Sequence, residues 1–365
     1  MLNGIRVIEV EGIGPGPFAG MMLADLGADV IKVQRPGGPV SPGVPERAIL
    51  DRGKRSIVLD LKSEADRETF LRLTDSADAL IEGFRPGVME RLGLGPDVVC
   101  GRNARLVYGR MTGWGQDGVM AHQAGHDMNY IGMAGALWHS SLPDAAVPMA
   151  TPTLIGDIGG GAMYLVTGLL AGILGARASG QGTVVDAAIY DGAANMMNLL
   201  MSLRQAGGFT SARGQSLLDG PHWCRTYSCA DGGVMSVQAL EPKFYAIFLE
   251  RLGLSEDAGF AAQFDQSSWP ALAERLAAIF AQHPRAHWEA VFEGSDACCA
   301  PVLTPEESLA HPINAGRQVW HEVDGTLQAA PAPRFEGQEK WQPLPAPERG
   351  ADTEAILAEL SQSSD

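Results

Sequence analysis

The segment Arg6-Val7-Ile8-Glu9-Val10-Glu11-Gly12-Ile13-Gly14-Pro15-Gly16-Pro17, followed at residues 28–33 by Ala-Asp-Val-Ile-Lys-Val, decides the fold. Residues 6–10 are dominated by Val and Ile and read as a strand. Residues 12–17 form a tight turn, 18–26 carry a helical pattern, and 28–33 return to strand character. A strand, a helix and a second strand in so short a span imply parallel pairing, because the crossover helix brings the chain back to its starting edge. Further strands are predicted at 57–61, 78–82, 106–109 and 183–188, with a helix at 64–74. The expectation is an α/β protein built on parallel βαβ units.

The turn offers a first hint of chemistry. Gly14, Gly16 and Ala19 satisfy a dinucleotide-binding spacing, whose physical content is close approach of backbone to a pyrophosphate. Pro15 and Pro17, however, remove two N–H donors that would face a phosphate. The second strand ends in Gln34-Arg35 instead of an acid for a ribose hydroxyl. NAD is therefore disfavoured, and Arg35 suits a phosphate of NADP or of coenzyme A. More cations follow at Arg52, Lys54, Arg55, Lys62, Arg85 and Arg91. Arg85 and Arg91 bracket a Pro-Gly turn, a loop geometry suited to gripping phosphate oxygens.

Charge supports placing an anionic ligand near this end of the chain. The net charge of the 365 residues is −16, which disfavours nucleic acid and anionic membranes as partners. Residues 1–91 nevertheless hold 12 Lys and Arg against 14 Asp and Glu, so most of the acidity lies downstream. The length suggests about two domains, and 45% hydrophobic residues suffice for sizeable cores. No basic segment leading into a long apolar run opens the chain, so a cytoplasmic protein is expected. Five cysteines without metal-like spacing fit reduced thiols and no structural metal.

Two polar islands in glycine-rich surroundings are the candidates for catalysis. Gly125-His126-Asp127-Met128-Asn129-Tyr130 places an imidazole beside a carboxylate and an amide. Gly156-Asp157-Ile158-Gly159-Gly160-Gly161 puts Asp157 where a helix is predicted to begin. Capping alone would explain an Asp there, and the two roles are compatible, since exposed N–H groups at a helix start could hold a developing oxyanion. Residues 158–176 carry no charge and could span a membrane by length; their six glycines suit a tightly packed core helix instead. Glu241, just before Pro242, could cap a helix or orient His126. Met196 and Met197, with Tyr130, could line an acyl pocket, core packing being the competing role.

Domain organisation follows the change in texture along the chain. Residues 1–190 are assigned to a large domain, 191–225 to linker helices, 226–312 to a smaller α+β domain, and 313–365 to a C-terminal segment. A hairpin is predicted at 227–237, and helices at 243–252, 269–282 and 353–362.

Taken together, these motifs resemble the family III CoA-transferase superfamily, and within it the α-methylacyl-CoA racemase branch. The residues that carry the likeness are Gly12 to Pro17, Ala24-Asp25-Leu26-Gly27-Ala28-Asp29, Asp60-Leu61-Lys62, Glu82-Gly83-Phe84-Arg85-Pro86-Gly87, Arg110 to Gln116, Gly156-Asp157 and Gly182 to Asp186. The resemblance implies a large Rossmann-like domain to which residues 313–365 return, a smaller α+β domain, CoA thioester substrates, no metal or redox cofactor, and an interlocked homodimer. It implies Asp157 and His126 as the acid/base pair, Glu241 as the partner of His126, and Arg35, Lys62, Arg85 and Arg91 as CoA-phosphate contacts. Such a pair would invert the α-carbon of a 2-methylacyl-CoA through an enolate. The main rival is CoA transfer with Asp157 as nucleophile; an NADP-dependent reductase and a CoA sensor are further alternatives. The acyl group is not legible in the sequence.

Overall fold

The computed structural model describes residues 1–38, 45, 47–143, 145–337, 341–342 and 344–362. The chain divides into two compact units. The first comprises Met1–Ala136, Ala150–Met196 and Gln328–Asp365, and the second Leu137–Met149 and Met197–Leu327. The segment Leu137–Met149, expected in the large domain, thus belongs to the second unit. The return to the first unit comes at Gln328, later than the expected residue 313.

In the first unit, β1 (Arg6–Val10), α1 (Pro15–Asp25), β2 (Asp29–Gln34), β3 (Arg55–Val58), α2 (Glu64–Asp75), β4 (Ala79–Glu82), α3 (Val88–Arg91), α4 (Pro96–Arg102), β5 (Val107–Thr112), α5 (Asp127–Met133), α6 (Met163–Ser179), β6 (Val184–Ala188) and α7 (Ile189–Met196) follow in order. The six strands form one sheet in the order β3-β2-β1-β4-β5-β6, every pair parallel. The order reverses between β1 and β4, which opens a crevice at the carboxyl ends of those strands. Ala19 and Leu23 of α1 pack with Leu165, Leu169 and Ile173 of α6 on one face. Phe70 and Leu73 of α2, Val99 of α4, and Ile356 and Leu360 of the C-terminal helix Thr353–Gln362 cover the other. The expected doubly wound α/β architecture is the one found.

The glycines of the long apolar helix have a packing reason. A Cβ on Gly168 would lie 2.6 Å from Val185 Cγ1, and one on Gly172 would lie 2.7 Å from Val107 Cγ1. Small residues therefore let α6 settle directly on β5 and β6. Among the described residues one helix, Leu154–Ser179, is long and apolar enough to cross a membrane. Its residues Leu165, Val166, Leu169, Ile173 and Ala176 are buried in the core of the unit, as expected of a core helix.

In the second unit, α8 (Asn198–Gln205) is followed by the hairpin β7 (Cys224–Ser228) and β8 (Val234–Gln238). Then come α9 (Pro242–Arg251), α10 (Trp269–Phe280), α11 (Arg285–Phe292) and β9 (Cys299–Pro301), which completes a three-stranded antiparallel sheet. Trp223, Phe248, Phe260, Leu276 and Phe280 fill its core without exposure. Met197 separates α7, which ends at Met196, from α8, which starts at Asn198.

Candidate active site

Asp157 lies in the first turn of a wide, π-type helical stretch, Leu154–Ala162, that runs directly into α6. The cap residue is Thr153, with a left-handed φ of 67°, so Asp157 is inside the helix and does not cap it. His126 stands immediately before α5 in extended conformation, and its N–H donates to Asn129 Oδ1 at 3.0 Å. Asp127, between His126 and the rest of α5, is buried. Its Oδ1 accepts from the backbone N–H groups of Gly156 and Asp157, each at 2.8 Å. The residue next to the imidazole is thereby bonded to the residue that carries the carboxyl. Gly156 must be glycine for this, because any Cβ there would collide with Asp127 Oδ1.

These two hydrogen bonds revise one expectation. The N–H groups of Gly156 and Asp157 are engaged by Asp127, so they are not open to an oxyanion. Asp127 does more than local hydrogen bonding, and it is the functional residue the sequence undervalued. It also shapes the electrostatics. Burial pushes the Asp157 carboxyl up to about 6, the negative charge of Asp127 adds to the rise, and His126 opposes it. His126 itself is exposed, and it lies close enough for its charge to act on that carboxyl.

Tyr130 holds the His126 loop from behind. Its hydroxyl donates to Gly125 O, and its ring meets Trp114 edge-on with centroids 4.7 Å apart. With 8% exposure and its hydroxyl committed, Tyr130 is a brace for the loop more than a lining of an acyl pocket. Met196 packs beside the Asp157 helix, its Cε 3.3 Å from where a Cβ on Gly159 would be. Met197 lies just past α7, in the second unit.

A cavity of about 580 Å³ opens at the carboxyl ends of β1 to β4, where the strand order reverses. Gly12, Gly14, Lys32, Arg35, Lys62, Phe84 and Arg349 are among its lining residues. Gly14 connects it to the acid/base pair, since a Cβ there would sit 3.5 Å from Asp157 Oδ2. Arg35 and Lys62 therefore lie on the cavity. Arg85 and Arg91 are exposed and are not among the residues lining it. Arg85 instead acts electrostatically on Tyr130, and Arg91 Nη1 would be 3.1 Å from a Cβ on Gly87.

Other cations singled out in the sequence serve the scaffold. Arg52 pairs with Asp25 at 2.6 Å, Lys54 with Glu9 at 2.6 Å with both side chains fully buried, and Arg55 with Asp29 and Glu359. Burial raises the Glu9 pKa despite Lys54 and Lys32, as expected where desolvation outweighs pairing. Arg349 was missed: nothing local in residues 345–350 marks it, and only the fold brings it beside Glu11.

Glu241 heads α9 in the second unit, exposed, with no capping bond from its side chain. Its charge, after burial, helps raise the pKa of the Cys298 thiol. Among the described residues no group of three or more His, Cys, Asp or Glu is placed to hold a metal ion.

The fold and the site define a doubly wound α/β protein with an imidazole and a raised carboxyl beside a cation-lined crevice. The chain belongs to CoA-transferase family III, which it matches over residues 2–353. It is 39% identical to the α-methylacyl-CoA racemase of Mus musculus over 335 residues, covering 91% of this chain and 85% of that protein. It is 39% identical to the Homo sapiens α-methylacyl-CoA racemase over 318 residues, covering 87% and 81%. A crystal structure of a CAIB/BAIF family protein from Brucella suis superposes with a TM-score of 0.82 over 98% of both chains, at 26% identity.

Proposed function

We propose that this protein is an isomerase, a racemase that inverts the α-carbon of 2-methylacyl-CoA thioesters. The single observation that carries the reading is the bond of Asp127 to Asp157 N–H, which holds the Asp157 carboxyl within electrostatic reach of His126. The 39% identity to two α-methylacyl-CoA racemases supports the substrate class.

Inversion requires a base on one face of the carbon and an acid on the other, with the roles exchanged in the reverse direction. In one direction the Asp157 carboxylate takes the α-proton, the electron pair passes into the thioester as an enolate, and the His126 imidazolium returns a proton to the opposite face. A carboxyl raised to about 6 populates both its protonated and its charged form near neutral pH, which suits a group that takes a proton in one direction and returns it in the other. Glu241 is proposed to orient the imidazolium, and Arg35, Lys62, Arg85 and Arg91 to meet the phosphates of the CoA portion. Neither a metal nor a redox cofactor is needed for this chemistry. The protein is proposed to work as a homodimer.

Family membership keeps CoA transfer as the second reading, with Asp157 attacking the thioester carbonyl to form a mixed anhydride. The two are separated by incubating one epimer of a 2-methylacyl-CoA with the protein alone. Conversion to a mixture of epimers without any carboxylic acid supports the racemase; an inert thioester that reacts only when an acid acceptor is added supports the transferase.

A further inference from the structure

Among the residues lining the cavity, Glu11 is an unexpected neighbour for an anionic ligand. It follows β1 directly and lies beside Arg35, whose N–H donates to Glu11 Oε2 at 3.1 Å and whose Nε is 3.8 Å from the same oxygen. A bare carboxylate there would draw the Arg35 guanidinium onto itself and away from the phosphates that Arg35 is placed to meet. The structure supplies a counter-charge from the far end of the chain. Arg349 Nη2 donates to Glu11 Oε1 at 2.6 Å and Nη1 to Oε2 at 3.3 Å. The same Nη1 donates to the backbone carbonyl of Arg35 at 2.9 Å. Arg349 therefore grips the carboxylate with both arms of its fork and the Arg35 backbone with one, a geometry that a lysine cannot reproduce. Partial burial works against the Glu11 carboxylate, yet the bonds from Arg349 and from the Arg35 N–H hold its pKa below the usual range.

Further contacts fix the segment that carries Arg349. Gly350 N–H donates to Ser56 Oγ at 2.7 Å, and Ser56 N–H donates to Asp352 Oδ2 at 2.8 Å, which docks residues 349–352 on β3. The side chain of Arg35 is 46% exposed and its Nη2 donates to Gly38 O at 3.0 Å, so part of its guanidinium fork still faces solvent while its backbone is fixed. Arg349 Nε is buried and has no hydrogen-bond partner among the described residues.

We infer that Arg349 is a positioning residue for CoA recognition: through Glu11 it sets Arg35 over the cavity, so the C-terminal segment completes the phosphate site of the N-terminal strands. This rests on the reading of the cavity as the CoA site. The test is a binding cycle with free CoA, measured by calorimetry, on the full-length protein and on Arg349→Ala, Arg35→Ala and the double variant, together with steady-state kinetics. Each single variant should bind CoA about tenfold more weakly, as for the loss of a charge-assisted contact. The double variant should bind no more weakly than Arg35→Ala, and Arg349→Ala should raise KM with kcat within about twofold of the parent.

Additive losses in the double variant, or CoA binding by Arg349→Ala equal to the parent, would overturn the inference. Should Arg349→Ala fail to fold, Arg349→Lys takes its place. That variant keeps the charge opposite Glu11 but not the second arm, and the same non-additivity with Arg35→Ala is required of it. If the parent protein binds no CoA, the CoA reading of the cavity falls and this inference with it. If the parent binds CoA and the cycle is additive, only the positioning role falls.

Discussion

The backbone N–H of Asp157 donates to Oδ1 of Asp127 at 2.8 Å, across thirty positions of sequence. Because Asp127 directly follows His126, this bond registers the imidazole loop against the carboxyl helix. Replacing Asp127 by Ala leaves the Gly156 and Asp157 N–H groups without their acceptor, at about 1–3 kcal/mol of stability in a buried setting. Asp127→Asn keeps an acceptor but removes the charge that helps raise the Asp157 pKa. The acid limb of kcat/KM, for the direction in which Asp157 is the base, should then move to lower pH. A limb that stays in place would show that the charge of Asp127 does not reach the reacting carboxyl.

His126→Ala and Asp157→Asn should each lower epimerisation by at least about 10²–10⁴-fold, the usual share of general acid/base catalysis. CoA affinity should change little, because neither side chain is among the residues lining the cavity. Calorimetry beside a chiral assay checks both halves of this expectation.

The raised Asp157 carboxyl also predicts a stability effect. Its folded value of about 6 lies above the ordinary 3.8, so the folded chain holds this proton more tightly than the unfolded one. The charged form therefore destabilises the fold increasingly as pH rises through the window from about 4 to 6. Asp157→Asn should raise the Tm at pH 7.5, and the gain should shrink as pH falls toward 4. An equal shift at both pH values would point to packing instead of charge.

Tyr130→Phe removes the hydrogen bond to Gly125 O while keeping the edge-on contact with Trp114. We expect about 1 kcal/mol of lost stability, and a kcat reduced by more than KM is changed, since the loop that presents His126 loses its brace. Thermal unfolding and steady-state kinetics measure the two effects separately.

The sheet was legible because β1 and β2 are short and rich in Val and Ile, and because residues 6–33 leave parallel pairing as the only compact arrangement. His126 and Asp157 were legible as polar residues among glycines. What linked them was not: Asp127 reads as an ordinary helix-start acid until the tertiary fold places Gly156 against it. The same holds for Arg349, whose partners Glu11 and Arg35 lie more than three hundred positions away. Arg52, Lys54 and Arg55 erred in the other direction. Their charges suggested ligand contacts, but Asp25, Glu9, Asp29 and Glu359 had already claimed them, which only long-range packing decides.

The most direct measurement follows α-proton exchange in D₂O, for each epimer of a 2-methylacyl-CoA separately, in His126→Ala and Asp157→Asn. If the two groups work on opposite faces, each variant should keep deuterium exchange without inversion on one epimer and lose it on the other, and the two variants should be complementary. Loss of exchange on the same epimer in both variants, or deuterium uptake only after a carboxylic acid is added, would contradict the account.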